Sequence, residues 1–391
     1  MKKFVKFLKN RTPLGWLQLS HDPARLLTAI SGIAFADILI FMQLGFLNSL
    51  YDSSVLFHQT LDTDLVMTNP QALHLGELAT FPDIRLYQAM DITGVTSTQR
   101  VYVNSLRWKN PQTNDKNSIM VIGLDLNSPA TTISEVYENI DSLRLPDTFL
   151  FDRTSRGEYA HIVTDFEQGK IIRTEIEKRT ITVKGLFKMG ASFGADATLI
   201  GSDQNFLRLF PRRDAGSVSL GLINVSGDVD QVKNNLNHYF RLLQDVEVMT
   251  KEEFMAKEKT YWGQNRPAGV VFIFGMVMGF VVGLVIVYQI LSTDVNDHLT
   301  EYATFKAMGF SNSYLLMIVF EEAIILAIAG FLPGMTIAVG LYAMARRATS
   351  LPIYMTLLRI MGVFLTTVVM CIVSGAIATR KLQSADPADI F

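Results

Sequence analysis

Four long apolar runs, one close to the N-terminus and three crowded into the last third, bracket a mostly polar stretch at residues 52–262. The runs are Arg25 to Tyr51, Gly269 to Leu291, Tyr314 to Met344 and Ile360 to Ala378. Each reaches or nearly reaches the ~20 residues that a helix needs to cross a hydrocarbon layer of ~30 Å. Core helices of soluble proteins are rarely this long with so few charges, so the runs read as membrane spans. A lone span, a large polar domain and a terminal trio of spans describe a membrane protein with its bulk on one side. The expected fold is α-helical with four transmembrane helices, plus an α+β extracytoplasmic domain inserted between the first and second.

Composition agrees. Charged residues make up 18% of the chain, against about 25% in soluble domains. The net charge of −2 gives no bulk reason for nucleic-acid binding. Cys371, the single cysteine, lies in the last run and excludes both an intrachain disulfide and a Cys-based metal site. The first run is too long for a signal-peptide h-region and no A-x-A site follows it, so it reads as a retained anchor. Lys2, Lys3, Lys6, Lys9, Arg11 and Arg25 precede it, which places the N-terminus in the cytoplasm. Four crossings then return the C-terminus there and leave residues 52–262 in the periplasm. Arg346, Arg347 and Arg359 at the short outer turn run against this charge rule, and the loop after the second run holds only Lys306.

Divided this way, residues 1–24 form an interfacial helix, with Trp16 among basic and apolar neighbours. Residues 25–51 are the first span and its stalk, and 268–292 the second span. A cytoplasmic loop follows at 293–313, then spans at 314–345 and 358–379 and a tail at 380–391. Asp22 and Pro23 resemble an N-cap and first helical position. Within the domain, period-2 alternation marks strands at Thr96 to Trp108, Ser118 to Asn127, Thr180 to Phe187, Ala197 to Ser202 and Ser219 to Ser226. Asp228 is placed to cap a helix expected to reach Leu243, and a further helix is expected from Lys251 to Trp262.

The chain has no GxxxxGK[ST], no HExxH and no GxSxG, and its six histidines are scattered. No catalytic residue, metal ligand or cofactor-binding residue is assigned, and the chain reads as a non-enzyme. Gly275, Gly279 and Gly283 line one face of the second span as GxxxGxxxG, a surface that lets another helix backbone approach closely. Spacing alone leaves open whether that helix belongs to the same chain or to a second copy. Asp37 lies mid-span, where a carboxyl group must face protein and be paired with a polar neighbour or protonated; a buried hydrogen-bonding strut is the favoured reading and a proton relay the alternative. Glu321 and Glu322 lie nearer the inner surface, and Pro333-Gly334 falls mid-run, where a kink is expected. In the loop, Leu299, Tyr302, Phe305 and Met308 recur at three-residue spacing as an apolar stripe on a short helix that Gly309 stops. Such a stripe on a polar loop needs a cover; a partner's groove is the natural one, and the lipid surface is the alternative.

The one-plus-three layout, the loop EYATFKAMGFS and the third span with Glu321, Glu322, Pro333 and Gly334 resemble the MacB and FtsX group of permeases, the type VII ABC superfamily. There the same loop carries an E-x-x-x-x-K-A-x-G pattern, matched here by Glu301, Lys306, Ala307 and Gly309. Closer still, PLGWLQLSHDPARLLTAISGIAFADILIFMQLGF and the terminal ADPADIF resemble the DevC family of cyanobacterial exporter permeases. The resemblance extends over the whole chain, though in the polar domain it is mainly one of layout. It implies a homodimeric permease without its own ATPase motifs, ATP and Mg being bound by a separate cytoplasmic ABC ATPase. A periplasmic membrane-fusion (adaptor) protein, a TolC-like outer-membrane channel and membrane lipids complete the implied partners. It further implies that the loop is a coupling helix and that motion, rather than a tunnel, expels glycolipid-like or other amphiphiles. An FtsX-like signalling permease and a lipoprotein-releasing permease share the same loop and stay open as alternatives.

Overall fold

A computed structural model describes residues 14–109, 116–156, 159–176, 179–214 and 216–379. Residues 1–13, 110–115 and 380–391 lie outside these residues, and with them most of the expected N-terminal surface helix and the cytoplasmic tail. The chain divides into two compact units, one from residues up to 48 with 270–344 and 353 onward, the other from 49–269 with 345–352.

The first unit is helical. A short helix α1 (Leu14–His21) precedes α2 (Pro23–Ser54). Asp22 separates them, its Oδ1 accepting the backbone N–H groups of Ala24 and Arg25 at 3.1 Å each. Pro23 then costs nothing, because a first-turn N–H has no helical acceptor. Trp16 and Leu17 on α1 are exposed, but Leu19 is buried in a cluster with Ala29, Ile33, Val287 and Leu291. The expected surface helix is therefore docked on the bundle as well.

α2, α4 (Pro267–Asp297), α6 (Asn312–Thr349) and α7 (Leu357–Ala378) are long and apolar enough to cross a membrane. The helix α5 (Leu299–Ala307) lies between α4 and α6. Among the helices of the second unit, α3 (Lys251–Thr260) directly precedes the turn that leads into α4. α6 runs unbroken through Pro333. The chain is thus a four-span helical membrane protein with an α+β domain inserted between its first and second spans.

The domain is built on eleven strands among the described residues: β1 (Leu65–Thr68), β2 (Phe81–Pro82), β3 (Val95–Lys109), β4 (Lys116–Leu124), β5 (Thr148–Asp152), β6 (Ile172–Ile176), β7 (Arg179–Phe187), β8 (Ala197–Ser202), β9 (Ser217–Val218), β10 (Leu220–Val225) and β11 (Glu247–Thr250). Nine form one sheet in the order β11-β1-β10-β3-β4-β8-β5-β7-β6, with β4/β8 and β5/β7 parallel and the other pairs antiparallel. Alternation sends Leu65, Met67, Tyr102 and Val121 into a core on one face and Val66, Val101, Val103 and Ile122 into a core on the other. β1 and β5 are buried on every residue, so they carry no polar alternation to read.

The helix after β10 begins at Asp228, whose Oδ1 accepts from Asp230 N and Gln231 N, but it stops at Phe240. α3 starts from a capping box in which Thr250 and Glu253 exchange side-chain and backbone hydrogen bonds of 3.1 and 2.8 Å. It passes into a π-helical turn at Tyr261–Asn265 rather than running on as an α-helix. There Gly263 packs on Tyr51, whose hydroxyl would stand 2.4 Å from an added Cβ. A polar seam sits under α3. Glu258 accepts from Leu75 N at 2.9 Å and from the Trp262 indole N–H at 2.8 Å, and lies 3.7 Å from the buried His58. Burial pushes the Glu258 carboxyl up to about 7, against the hydrogen bonds that favour its charge. Burial, with Lys251 nearby, pushes His58 down to about 3. At neutral pH His58 is uncharged, so this contact is not a salt bridge.

Candidate coupling site

α5 follows α4 after a one-residue break at His298, whose N–H and Nδ1 both lie within 3.1 Å of the Asp294 carbonyl. Its far end is closed by a Schellman motif. Phe310 N bonds the Phe305 carbonyl, Gly309 N bonds that of Lys306, and Gly309 takes φ +89°. A side chain at position 309 would strain that turn.

The apolar stripe is divided. Tyr302 is buried in a cluster with Val295, Ile318 and Val319, and Phe305 packs against the same cluster beside Tyr314. Leu299 is half-buried, while Met308 is 60% exposed. The expectation that one continuous stripe awaits a partner's groove is corrected at this point: α5 folds back and its own bundle covers the middle of the stripe. What remains outward is Glu301, Met308, Gly309 and Phe310, with Lys306 half-buried. Phe310 escaped the spacing argument because it lies past the helix stop. Its ring packs on Tyr314 at 4.7 Å and on Phe305 at 5.7 Å, which holds the exposed tip in place.

Polar contacts tie the start of α5 to the spans. Arg25 Nη1 stands 3.3 Å from Asp294 Oδ1, and Arg25 Nη2 bonds Asp297. Asp294 is buried, and the Glu322 carboxyl group, wholly buried on α6, lies against it. Glu321 is half-buried beside it. Glu322 therefore does not reach the surface, as its shallow position suggested, but closes a buried cluster. Gly15 of α1 leaves room for it, since a Cβ there would stand 2.9 Å from Glu322 Cγ.

The three glycines of α4 meet α2 of the same chain. Added Cβ atoms at Gly275, Gly279 and Gly283 would strike Gln43, Ile40 and Ala36, and at Gly283 also Met370 of α7. On another side of α2, Gly330 and Gly334 of α6 approach Ile33 and Asp37. The residue after Pro333 thus serves a close helix crossing. Asp37 is fully buried, with Oδ1 2.6 Å from Thr367 Oγ1 on α7. The same hydroxyl is 2.9 Å from the Val363 carbonyl, so its single hydrogen serves one of the two. α2 is the hub on which the other three spans pack. Among the described residues no cluster of His, Cys, Asp and Glu has the makings of a metal site.

Residues 273–387 match the family described as FtsX-like permease C-terminal. No curated protein sequence matches the chain. Among solved structures it is similar to the periplasmic region of MacB from Actinobacillus actinomycetemcomitans, at 12% identity and TM-score 0.32, over 50% of this chain and 92% of that one. It is also similar to the extracellular domain of the noncanonic ABC-type transporter YknZ from Gram-positive bacteria, at 14% identity and TM-score 0.29, over 48% of this chain and 99% of that one. The matched stretch holds α5 and nearly all of the last three spans, and there the chain is similar to the FtsX-like permease C-terminal family.

Proposed function

We propose that this chain is the permease subunit of an ATP-driven, tripartite export system of the bacterial plasma membrane. A separate cytoplasmic ABC ATPase binds ATP and Mg and drives it. α5 is the coupling helix, the termini are cytoplasmic and residues 52–262 are periplasmic. Two copies work together, handing envelope amphiphiles of glycolipid type to an adaptor and a TolC-like channel, in the manner of DevC-type permeases. The observation that carries the reading is an exposed tip at Met308 and Phe310, its Phe310 ring packed on Phe305 and Tyr314, on a helix whose other face is rooted in the bundle through Tyr302. A load applied there reaches α4 and α6 without first bending a loose loop. The reading is supported further by the family match over these residues.

Co-expression with candidate ATPases tests it. Met308→Asp and Phe310→Asp are expected to abolish stimulation of ATP hydrolysis while the chain still inserts and folds. Full stimulation by both variants would exclude α5 as the coupling element. Capture of partners on the full-length chain separates export from signalling: an adaptor and outer-membrane channel support export, whereas a wall hydrolase overturns it.

A further inference from the structure

A cavity of about 310 Å³ opens in the α+β domain between the end of α2, strands β3 and β4 and the loop after β7. That is the lower end of the ~300–1,000 Å³ usual for small-molecule sites. Its walls have two characters. Met120, Met189, Phe193 and Leu56 supply an apolar side, and methionines adapt to irregular chains. Arg266, His74 and the backbone of Gly76 supply the other.

On this second side the donors outnumber the acceptors. The Gly76 N–H lies 3.1 Å from His74 Nδ1, and Arg266 Nη2 lies 3.0 Å from His74 Nε2. Burial and the nearby guanidinium hold His74 below its ordinary range. A neutral imidazole has one accepting nitrogen, so in either tautomer one of these two donors goes unmet. Arg266 Nε is buried and has no acceptor among the described residues. Glu77 does not supply one, since its carboxyl group is 3.9 Å from Nη2 and 60% exposed. Glu258 accepts from Leu75 and Trp262, and Arg266 Nε makes no hydrogen bond to it. The guanidinium is fixed in place over the rings of Tyr261 and Trp262, at 5.2 and 5.6 Å from their centroids. Gly194 keeps the mouth open, since a Cβ there would stand 3.1 Å from Trp262. A preorganised planar cation with spare donors suits a phosphate or carboxylate group.

The geometry points to a site for an amphiphilic anion, its head group on Arg266 and the His74–Gly76 edge and its apolar part against Met120, Met189 and Phe193. As a station for exported cargo the site rests on the export reading; as a binding site it does not.

The test uses the full chain in phosphatidylcholine nanodiscs, with Trp262 fluorescence as the readout and Trp262→Phe as the control for its signal. Dodecyl phosphate is the probe, with inorganic phosphate and dodecyl maltoside as separate arms. Dodecyl phosphate is expected to give a saturable change that Arg266→Gln weakens about 10-fold or more, Arg266→Lys less. Inorganic phosphate is expected to bind far more weakly, and dodecyl maltoside not to compete. Should Arg266→Gln fail to fold, Ser118→Leu fills the cavity from another wall and is expected to abolish binding. Equal binding by wild type and Arg266→Gln, or equal competition by the uncharged maltoside, would overturn the proposal. Inorganic phosphate binding as tightly as dodecyl phosphate would overturn its amphiphile part. Because the readout is binding, a negative result leaves ATPase coupling untouched, and a failure of coupling leaves the site standing.

Discussion

Arg25 Nη1, at the start of the first span, stands 3.3 Å from Asp294 Oδ1, near the end of the second. An ion pair between these two helix ends puts them on the same side of the membrane, as a down-and-back pair of crossings requires. It also fixes the residues that lead into α5. Arg25→Gln would leave Asp294 buried and short of a charged partner, at a cost of about 1–3 kcal/mol. ATPase stimulation is expected to fall with it. Asp297→Asn, at a position 54% exposed, should cost no more than about 1 kcal/mol. Thermal unfolding in nanodiscs ranks the two, and equal losses would refute the difference in burial.

The glycine face of α4 makes a separate prediction. Gly283→Leu is expected to destabilise the chain by about 1–3 kcal/mol through overpacking against Ala36 and Met370, leaving its wild-type stoichiometry unchanged. Native mass spectrometry would contradict this by finding a variant of undiminished stability whose stoichiometry differs from that of the wild type.

Glu258 sets a pH dependence. Its carboxyl group titrates near 7 in the folded chain and near 4.5 in the unfolded one. Between those values the folded state holds the proton that the unfolded state has lost. Stability is therefore full below about 4.5 and falls as pH rises to about 7, by up to ~3 kcal/mol. His58 acts in the opposite direction, its contribution being complete above 6.5 and fading as pH drops toward 3. Between about 4.5 and 6.5 the two trends offset, so Glu258→Gln should unmask the rise in stability that His58 alone gives there and abolish the fall between about 6.5 and 7. A thermal midpoint whose slope between pH 5 and 8 survives that change would disprove the assignment.

Orientation is checked by labelling. In a Cys371→Ala background, Leu242→Cys, on a residue 88% exposed, should react with an impermeant maleimide from outside the plasma membrane. Thr300→Cys should react only after permeabilisation. The reverse pattern would place the domain in the cytoplasm.

Much of the architecture was legible in the residues because its causes are local. Twenty or so apolar side chains in a row suit lipid wherever they occur, and the Asp22–Pro23 start and the Gly309 stop act within one helical turn. The alternating strands β3, β4, β7 and β10 were readable for the same reason. The strands β1, β5, β6 and β11 were not. β1 and β5 are short and buried throughout, and β1, β5 and β11 pair with strands distant in sequence, whereas β6 is a five-residue edge strand on the adjacent β7. Spacing placed Leu299, Tyr302, Phe305 and Met308 on one side of a helix but not which of them its own bundle would cover.

Sequence by itself determined the four membrane-length helices, the domain between the first two and the helix between the second and third, since each is a property of a continuous segment. Tertiary structure decided the rest. The α4 glycines serve α2, Asp37 leans on Thr367 and Arg266 faces the cavity beside His74, because each of these needs two segments brought together by packing. No local pattern encodes that meeting.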